Sequence, residues 1–300
     1  MEELHYSEEV KAAINNHQPL VGLETAVITH GLPYPTNIEL AGAMEEIILE
    51  EGAIPAAVGV LGGKPQIGMN KEDILLLAQD REVIKISRRD FSRAAAKKLN
   101  GGTTVAGTLT ALTKAGIQVF ATGGIGGVHQ NAPFDISADL PTLAQTPVLV
   151  VCAGAKAILD LPATLEMLET LSVPVVGYQT SLFPAFYARS SGLPVNVQIE
   201  DPEDAALLAK AHWAMGINSA VLLVVPPPAD VALPDRKVEK AVAQALKDAE
   251  SLKIKGQEVT PFLLKRVSEI TGKTSLEANL GLLRNNARVA AQVAVALSKI

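Results

Sequence analysis

Residues able to do covalent and proton-transfer chemistry gather in a few short segments of this 300-residue chain. In Val148–Asp160, VLVVCAGAKAILD, Lys156 follows an apolar run and the small residues Ala153-Gly154-Ala155. A lysine just past an apolar strand is expected to be partly desolvated, which favours the neutral amine and makes it a candidate imine-forming nucleophile. The plainer alternative is a solvent-facing lysine in the first turn of a following helix. Cys152 is a rival nucleophile, but it lies inside the apolar run and reads as a small buried hydrophobe. In Leu20–Asn37, LVGLETAVITHGLPYPTN, Glu24 interrupts an apolar strand. A carboxylate there needs partners or a raised pKa and can then donate a proton; the alternative is an edge-strand glutamate facing water. His30, in the turn HGLPYP, reads as a turn histidine rather than a ligand.

Val119–Leu140, VFATGGIGGVHQNAPFDISADL, places glycines at 123, 124, 126 and 127 directly after an apolar strand. Such glycines permit positive φ and let backbone N–H groups approach an anion closely. His129 stands where GxGxxG needs its third glycine, and Gly272-Lys273-Thr274 lacks the upstream glycine of a phosphate-binding P-loop. Both nucleotide motifs are therefore excluded, leaving a tight turn or an anion cradle. Asp135, Ser137 and Asp139 follow at once, a set that suits a hard metal ion or a sugar phosphate, or else helix capping. Lys85, Arg88 and Arg89 in KISRRD could face a phosphate or simply water. Gly101-Gly102-Thr103-Thr104-Val105 presents amides and hydroxyls at a helix start, a further anion-binding arrangement.

The elements that must position these residues alternate along the chain. Strands are expected at Leu20–Ile28, Ile54–Leu61, Val83–Ile86, Ile117–Ala121, Val148–Cys152, Val173–Tyr178 and Ala220–Val225. Several are apolar on both faces, as strands covered by helices on both sides must be. Between them, Asn37 is expected to cap a helix over Ile38–Glu51, Asn70 one over Lys71–Ala78, and Gly116 to end one over Thr104–Ala115. Gly62-Gly63-Lys64 allows a local hairpin. After Pro226-Pro227-Pro228 the pattern turns helical, over Lys237–Leu252, Pro261–Thr271 and Ser275–Leu297. The expectation is a single domain over residues 1–300 of α/β class: a three-layer α/β/α arrangement with a largely parallel, possibly mixed sheet and a helical C-terminal region.

Composition removes several classes of function. Lys and Arg number 26 against 32 Asp and Glu, a net charge of −6, and aromatics are few: one Trp, four Tyr and six Phe. That is neither the basic footprint nor the stacking platform of a nucleic-acid binder. One cysteine makes no intramolecular disulfide, and the acidic N-terminal segment and short apolar runs carry no signal peptide or membrane span. A cytoplasmic globular protein without nucleic-acid or membrane partners is expected.

ETAVITHGLPYP, KISRRD, GGTTVAGT, VFATGGIGGVH, FDISADL, CAGAKAILD and TPFLLKRV occur in that order across most of the chain. Together they resemble the pseudouridine-5′-phosphate glycosidases, a family also labelled indigoidine synthase A. The resemblance implies an α/β homotrimer that cleaves the C–C glycosidic bond of pseudouridine 5′-phosphate to uracil and ribose 5-phosphate with a divalent metal, typically Mn²⁺. Carried over by motif, Lys156 is the covalent nucleophile, Glu24 the proton donor and Asp135 the metal ligand. Lys85, Val105, Ser137, Ala138 and Asp139 line the substrate site, and Asn279, in SLEAN, is associated with uracil. Ala26, Gln130 and Val225 depart from the family pattern. Two other readings keep part of this chemistry: an imine-forming enzyme acting on another sugar phosphate, and a non-catalytic nucleotide or sugar-phosphate binding protein.

Overall fold

Apolar runs of four to eight residues build the centre of the molecule. The computed structural model describes residues 4–130, 132–252, 254 and 259–300. Its strands are β1 (His5–Tyr6), β2 (Leu20–Leu23), β3 (Ile54–Leu61), β4 (Lys64–Ile67), β5 (Ile84–Ile86), β6 (Gly101–Thr103) and β7 (Val119–Ala121). There follow β8 (Val128–His129), β9 (Ala132–Ile136), β10 (Leu149–Cys152), β11 (Leu159–Asp160), β12 (Val175–Tyr178), β13 (Val197–Ile199) and β14 (Val221–Val224). The helices are α1 (Glu8–Asn15), α2 (Thr36–Glu50), α3 (Lys71–Gln79), α4 (Phe91–Lys97), α5 (Val105–Ala115) and α6 (Asp139–Leu143). Beyond them come α7 (Leu161–Thr170), α8 (Pro202–Ala214), α9 (Asp235–Ser251), α10 (Val259–Thr271) and α11 (Lys273–Leu297).

The main sheet runs β1-β4-β3-β2-β7-β10-β14-β12-β13, with β6 also on β3 and β5 on β6. From β3 to β13 every pairing is parallel, whereas β3 meets β4 and β6 antiparallel, so the sheet is mixed as the sequence allowed. Both β10 and β14 are buried at every residue, because helices cover both faces. On one side α2, α8 and α11 lie against each other; on the other, α5 packs so closely on β2 that a Cβ at Gly22 would fall 2.3 Å from Leu112. A second, small antiparallel sheet, β11-β8-β9, stands beside the main one.

Several boundaries differ from the sequence expectation, for local reasons. The strand expected over Leu20–Ile28 stops at Leu23, and Val27–Gly31 forms a π-helical turn. The Thr25 carbonyl collects the amides of Ile28 and Thr29, and the Thr25 hydroxyl donates to Val58 O at 2.6 Å, which folds the chain away from the sheet. Asn37 is not the cap of α2 but lies inside its first turn, where its amide donates to Ile28 O and holds that π-turn. Asn70 caps α3 in a reciprocal capping box, and the Gly62-Gly63 turn joins β3 to β4 as a hairpin. The small sheet was not expected at all; two of its three strands, β8 and β11, have two residues each, too short to show a period of two.

Candidate active site

Glu24, Lys156 and the glycine-rich loop all lie past the carboxyl ends of three adjacent parallel strands, β2, β7 and β10, where ligands of open α/β sheets bind. Beyond those strands the backbone stays zipped. Thr122 N bonds Val151 O, Ala153 N bonds Gly123 O, Ile125 N bonds Gly154 O, and Lys156 N bonds Ile125 O. Lys156 is thus half-buried in a turn held by the glycine loop, not in the first turn of a helix, since α7 starts only at Leu161. Gly154 makes this possible with φ of +83°, and a Cβ there would fall 2.4 Å from Pro184 O. Cys152 is fully buried with its thiol pushed up to about 12 by burial, which removes it as a nucleophile.

Glu24 directly follows β2, which lies inside the sheet between β3 and β7, and this disposes of the edge-strand alternative. The Thr122 hydroxyl donates to its Oε1. Burial pushes its carboxyl above the ordinary range; the Lys156 charge and the Thr122 hydrogen bond pull it back, Asp139 opposes them, and Lys85 adds a smaller pull downward. Lys85 is depressed first by burial and then by Lys156, with Glu24 and Asp139 acting the other way. Four charged groups therefore share one electrostatic neighbourhood. His30, at the rim, is lowered by burial and by Lys85, against a backbone hydrogen bond at Val83.

Lys85 reaches this cluster through strand pairing. It stands opposite Gly102 on β6, and Gly102 lies so near the turn after Glu24 that a Cβ would fall 2.3 Å from Thr29 Oγ1. Thr103 N donates to Thr25 Oγ1, locking the two segments together. Its neighbours in KISRRD go elsewhere: Arg88 donates to Gln145 Oε1 at 2.6 Å, and Arg89 is exposed beside Asp90.

The glycine loop works differently from the sequence expectation. None of Gly123, Gly124, Gly126 and Gly127 has positive φ. They are glycines because of close approach: a Cβ at Gly126 would fall 2.2 Å from Ser137 Oγ and 2.8 Å from Asp139 Oδ2. The anion held there belongs to the protein. Asp139, only 5% exposed, accepts Gly126 N at 2.8 Å with one oxygen and Ala106 N, in the first turn of α5, at 2.9 Å with the other. Asp139 thereby ties the glycine loop to the helix that starts at Val105, while Ser137 Oγ accepts Asp139 N.

The remaining expected residues are placed less centrally. Val105 is buried at the start of α5, and Ala138 is exposed before α6. Asp135 is 47% exposed on β9, with His129 Nδ1 3.6 Å from its Oδ1 and 3.0 Å from its carbonyl oxygen. Asn279 is half-buried in α11, and no described hydrogen bond joins it to the cluster. Gln130 donates to Leu159 O at 3.3 Å and so braces the small sheet. Two residues were missed by sequence reasoning: Thr122, which holds Glu24, and Asn286, fully buried on α11, whose amide donates to Thr122 O at 2.8 Å. A hydroxyl directly after an apolar strand end was the available signal for the first; no local signal marks the second.

Fold and site together define an α/β protein with Glu24 and Lys156 at the carboxyl edge of its central sheet and Lys85 and Asp139 within electrostatic reach of them. The chain belongs to the family described as indigoidine synthase A like protein, whose match spans residues 9–296. It is 50% identical over 296 residues to a pseudouridine-5′-phosphate glycosidase of Caldanaerobacter subterraneus subsp. tengcongensis, covering 98% of this chain and 96% of that protein. Among solved structures, the prealnumycin C-glycosynthase AlnA in complex with ribulose 5-phosphate superposes with a TM-score of 0.92 at 38% identity, covering 100% of this chain and 98% of that one. An indigoidine synthase A-like protein of Thermotoga maritima gives 0.91 at 35%, over 99% and 97%.

Proposed function

We propose that this chain is an enzyme that reversibly cleaves the C–C glycosidic bond of pseudouridine 5′-phosphate, giving uracil and ribose 5-phosphate through a ring-opened imine on Lys156. The observation that carries the reading is the meeting of Lys156, Glu24, Lys85 and Asp139 in one neighbourhood, in a chain half identical to proteins of that name. A C-glycoside offers no leaving-group oxygen, so the route of two-carboxylate glycosidases is closed to it. Glu24, whose carboxyl burial pushes above the ordinary range, gives its proton to the ribose ring oxygen as the C1′–O4′ bond breaks. The Lys156 amine adds to C1′ and returns a proton to Glu24. That proton passes to C5 of uracil. The C1′–C5 bond then breaks, its electron pair restoring the pyrimidine while the nitrogen lone pair forms the imine. Water adds to the imine and frees ribose 5-phosphate and the lysine.

Lys85, with the loop edges at Val105, Ser137 and Ala138, holds the 5′-phosphate and so fixes the sugar by a group remote from the reacting bond. Asp139 acts in this reading mainly by holding the glycine loop and α5 in register around the substrate. Asn279 is assigned to the uracil end. For a divalent cation, Mn²⁺ in this reading, Asp135 is the ligand. Among the described residues no group of three His, Cys, Asp or Glu forms a protein cage. A half-exposed carboxylate beside one histidine fits a hard cation that keeps most of its waters, and such an ion would supply positive charge near the phosphate. The protein is further assigned to the cytoplasm and to a homotrimer; among the described residues no helix is long and apolar enough to cross a membrane.

The test is direct. Purified protein with Mn²⁺ should release uracil from pseudouridine 5′-phosphate and none from uridine 5′-phosphate, and borohydride should trap a ribose 5-phosphate adduct on Lys156. An adduct elsewhere, or full activity in Lys156→Ala, overturns the lysine assignment. The likeness to a C-glycosynthase with a bound ketose phosphate supports a second reading, imine chemistry on another sugar phosphate. An adduct with ribulose 5-phosphate but no uracil release would select it. Phosphate binding with no turnover and no adduct would select a binding protein.

A further inference from the structure

Outside the groups the reaction itself uses, one fully buried polar side chain beside them carries an unpaired atom: Asn286 on α11. Its Nδ2 donates to Thr122 O at 2.8 Å, and its Oδ1 is buried with no hydrogen-bond partner among the described residues. A leucine of similar size would remove that orphan but leave the Thr122 carbonyl without its donor, so what the amide secures is that carbonyl. The carbonyl it holds belongs to the residue whose hydroxyl donates to Glu24. It is not needed for strand pairing, because Thr122 N already bonds Val151 O and Gly123 O already accepts Ala153 N. What the amide adds is the orientation of the Thr122–Gly123 peptide at the end of β7, and with it the direction of the Thr122 hydroxyl.

We propose that Asn286 is a positioning residue for the proton donor: from the helical layer it holds the Thr122 peptide, and Thr122 in turn holds the Glu24 carboxyl. This rests on the assignment of Glu24 given above. Four groups face Glu24: Thr122 at the end of β7, Lys156 beyond β10, Lys85 on β5 and Asp139 on α6. Only the first is under the control of Asn286. With the hydroxyl misdirected, the ionised carboxylate loses a donor, and Glu24 should hold its proton to higher pH while delivering it less well.

The experiment is a double-mutant cycle of Asn286→Leu and Thr122→Val, with Thr122→Ser as the conservative control. Three quantities are read: kcat and KM for uracil release, the melting temperature, and the titration midpoint of the Glu24 carboxyl by infrared difference spectroscopy, its band identified by loss in Glu24→Gln. Each single variant is expected to lower kcat about tenfold with KM changed less than about twofold. Both should raise the midpoint, the double variant should be no worse than the worse single, and Thr122→Ser should restore most of the loss. Multiplying effects, or an Asn286→Leu protein that melts lower but keeps kcat and midpoint, overturns the proposal. Should Asn286→Leu fail to fold, Asn286→Ser, a shorter donor, takes its place under the same criteria. If the wild type releases no uracil, the proposed activity falls, and the midpoints alone then decide whether Asn286 positions Glu24.

Discussion

Removing the Asp139 carboxylate should unfasten the site without touching the nucleophile. Its two oxygens accept Gly126 N at 2.8 Å and Ala106 N at 2.9 Å, and the residue is almost fully buried. In Asp139→Ala both amides lose their acceptor in a site closed to water, at about 1–3 kcal/mol for each stranded donor. The combined cost is therefore roughly 2–6 kcal/mol. For a chain of this length an unfolding entropy of about 2.1 cal/mol/K per residue gives about 0.6 kcal/mol per degree, so the melting temperature should fall by roughly 3–10 °C. Asp139→Asn keeps one acceptor and turns an NH₂ toward the other amide; it should lose somewhat more than half as much, since the new donor also opposes an N–H. Asp139 also pushes the Glu24 and Lys85 values upward, so both should drop when its charge is removed. Scanning calorimetry gives the stability, and hydrogen exchange at Gly126 and Ala106 locates the loss. If Asp139→Ala costs under about 1 kcal/mol and both amides remain protected, the clamp is not what holds the loop.

Two further outcomes follow from burial. Glu24 has a folded pKa above its ordinary 4.5, so the stability it contributes is present below that value and is lost as pH rises through the raised one. Glu24→Gln, which keeps an acceptor for Thr122, should therefore gain stability relative to wild type as pH rises from 4.5, while losing turnover; an unchanged difference between pH 4.5 and 8 in denaturant titrations would contradict this. Cys152, with its thiol near 12 and fully buried, should give no reaction with a thiol reagent in the native protein at pH 8 and one equivalent after denaturation. Rapid native labelling would show that β10 opens, and would reopen the question of a cysteine nucleophile.

Candidate groups were legible in the sequence where a reactive side chain follows an apolar run. Lys156 and Glu24 both sit at the edge between a buried strand and a turn, and at Glu24 burial raises the carboxyl above its ordinary range. The parallel centre of the sheet was legible for the same reason, since strands covered on both faces read as unbroken apolar segments. What was not legible depends on partners that sequence distance hides. KISRRD offers three cations at equal face value, and only the pairing of Lys85 with Gly102 selects one of them for the site. The glycines at 123–127 look like a cradle for a ligand's anion, yet the carboxylate at Gly126 is Asp139. Local pattern cannot separate these cases, because a backbone amide next to glycine suits a substrate phosphate and a protein carboxylate alike.

That substitution has a consequence for how the site is built. A helix N-terminus and a glycine loop, each able to attract a free anion, are bridged instead by one side chain that carries the charge of the ligand they would have bound. Asp139 thus leaves the site with two lysines and two carboxylates, one of which is tied to backbone amides and the other, Glu24, raised by its burial. The two acids differ in their partners: Asp139 accepts two backbone amides, which cannot turn, whereas the side-chain hydrogen bond described for Glu24 comes from a hydroxyl that can. Because the Thr122 peptide is bonded by Asn286, 164 residues further along the chain, the proton transfer proposed for Glu24 would depend on the packing of the C-terminal helix against the central sheet. Loosening α11 without altering Lys156 should then slow uracil release while Lys156 can still be trapped with borohydride on the open-chain aldehyde of ribose 5-phosphate, which needs no proton on a glycosidic ring oxygen.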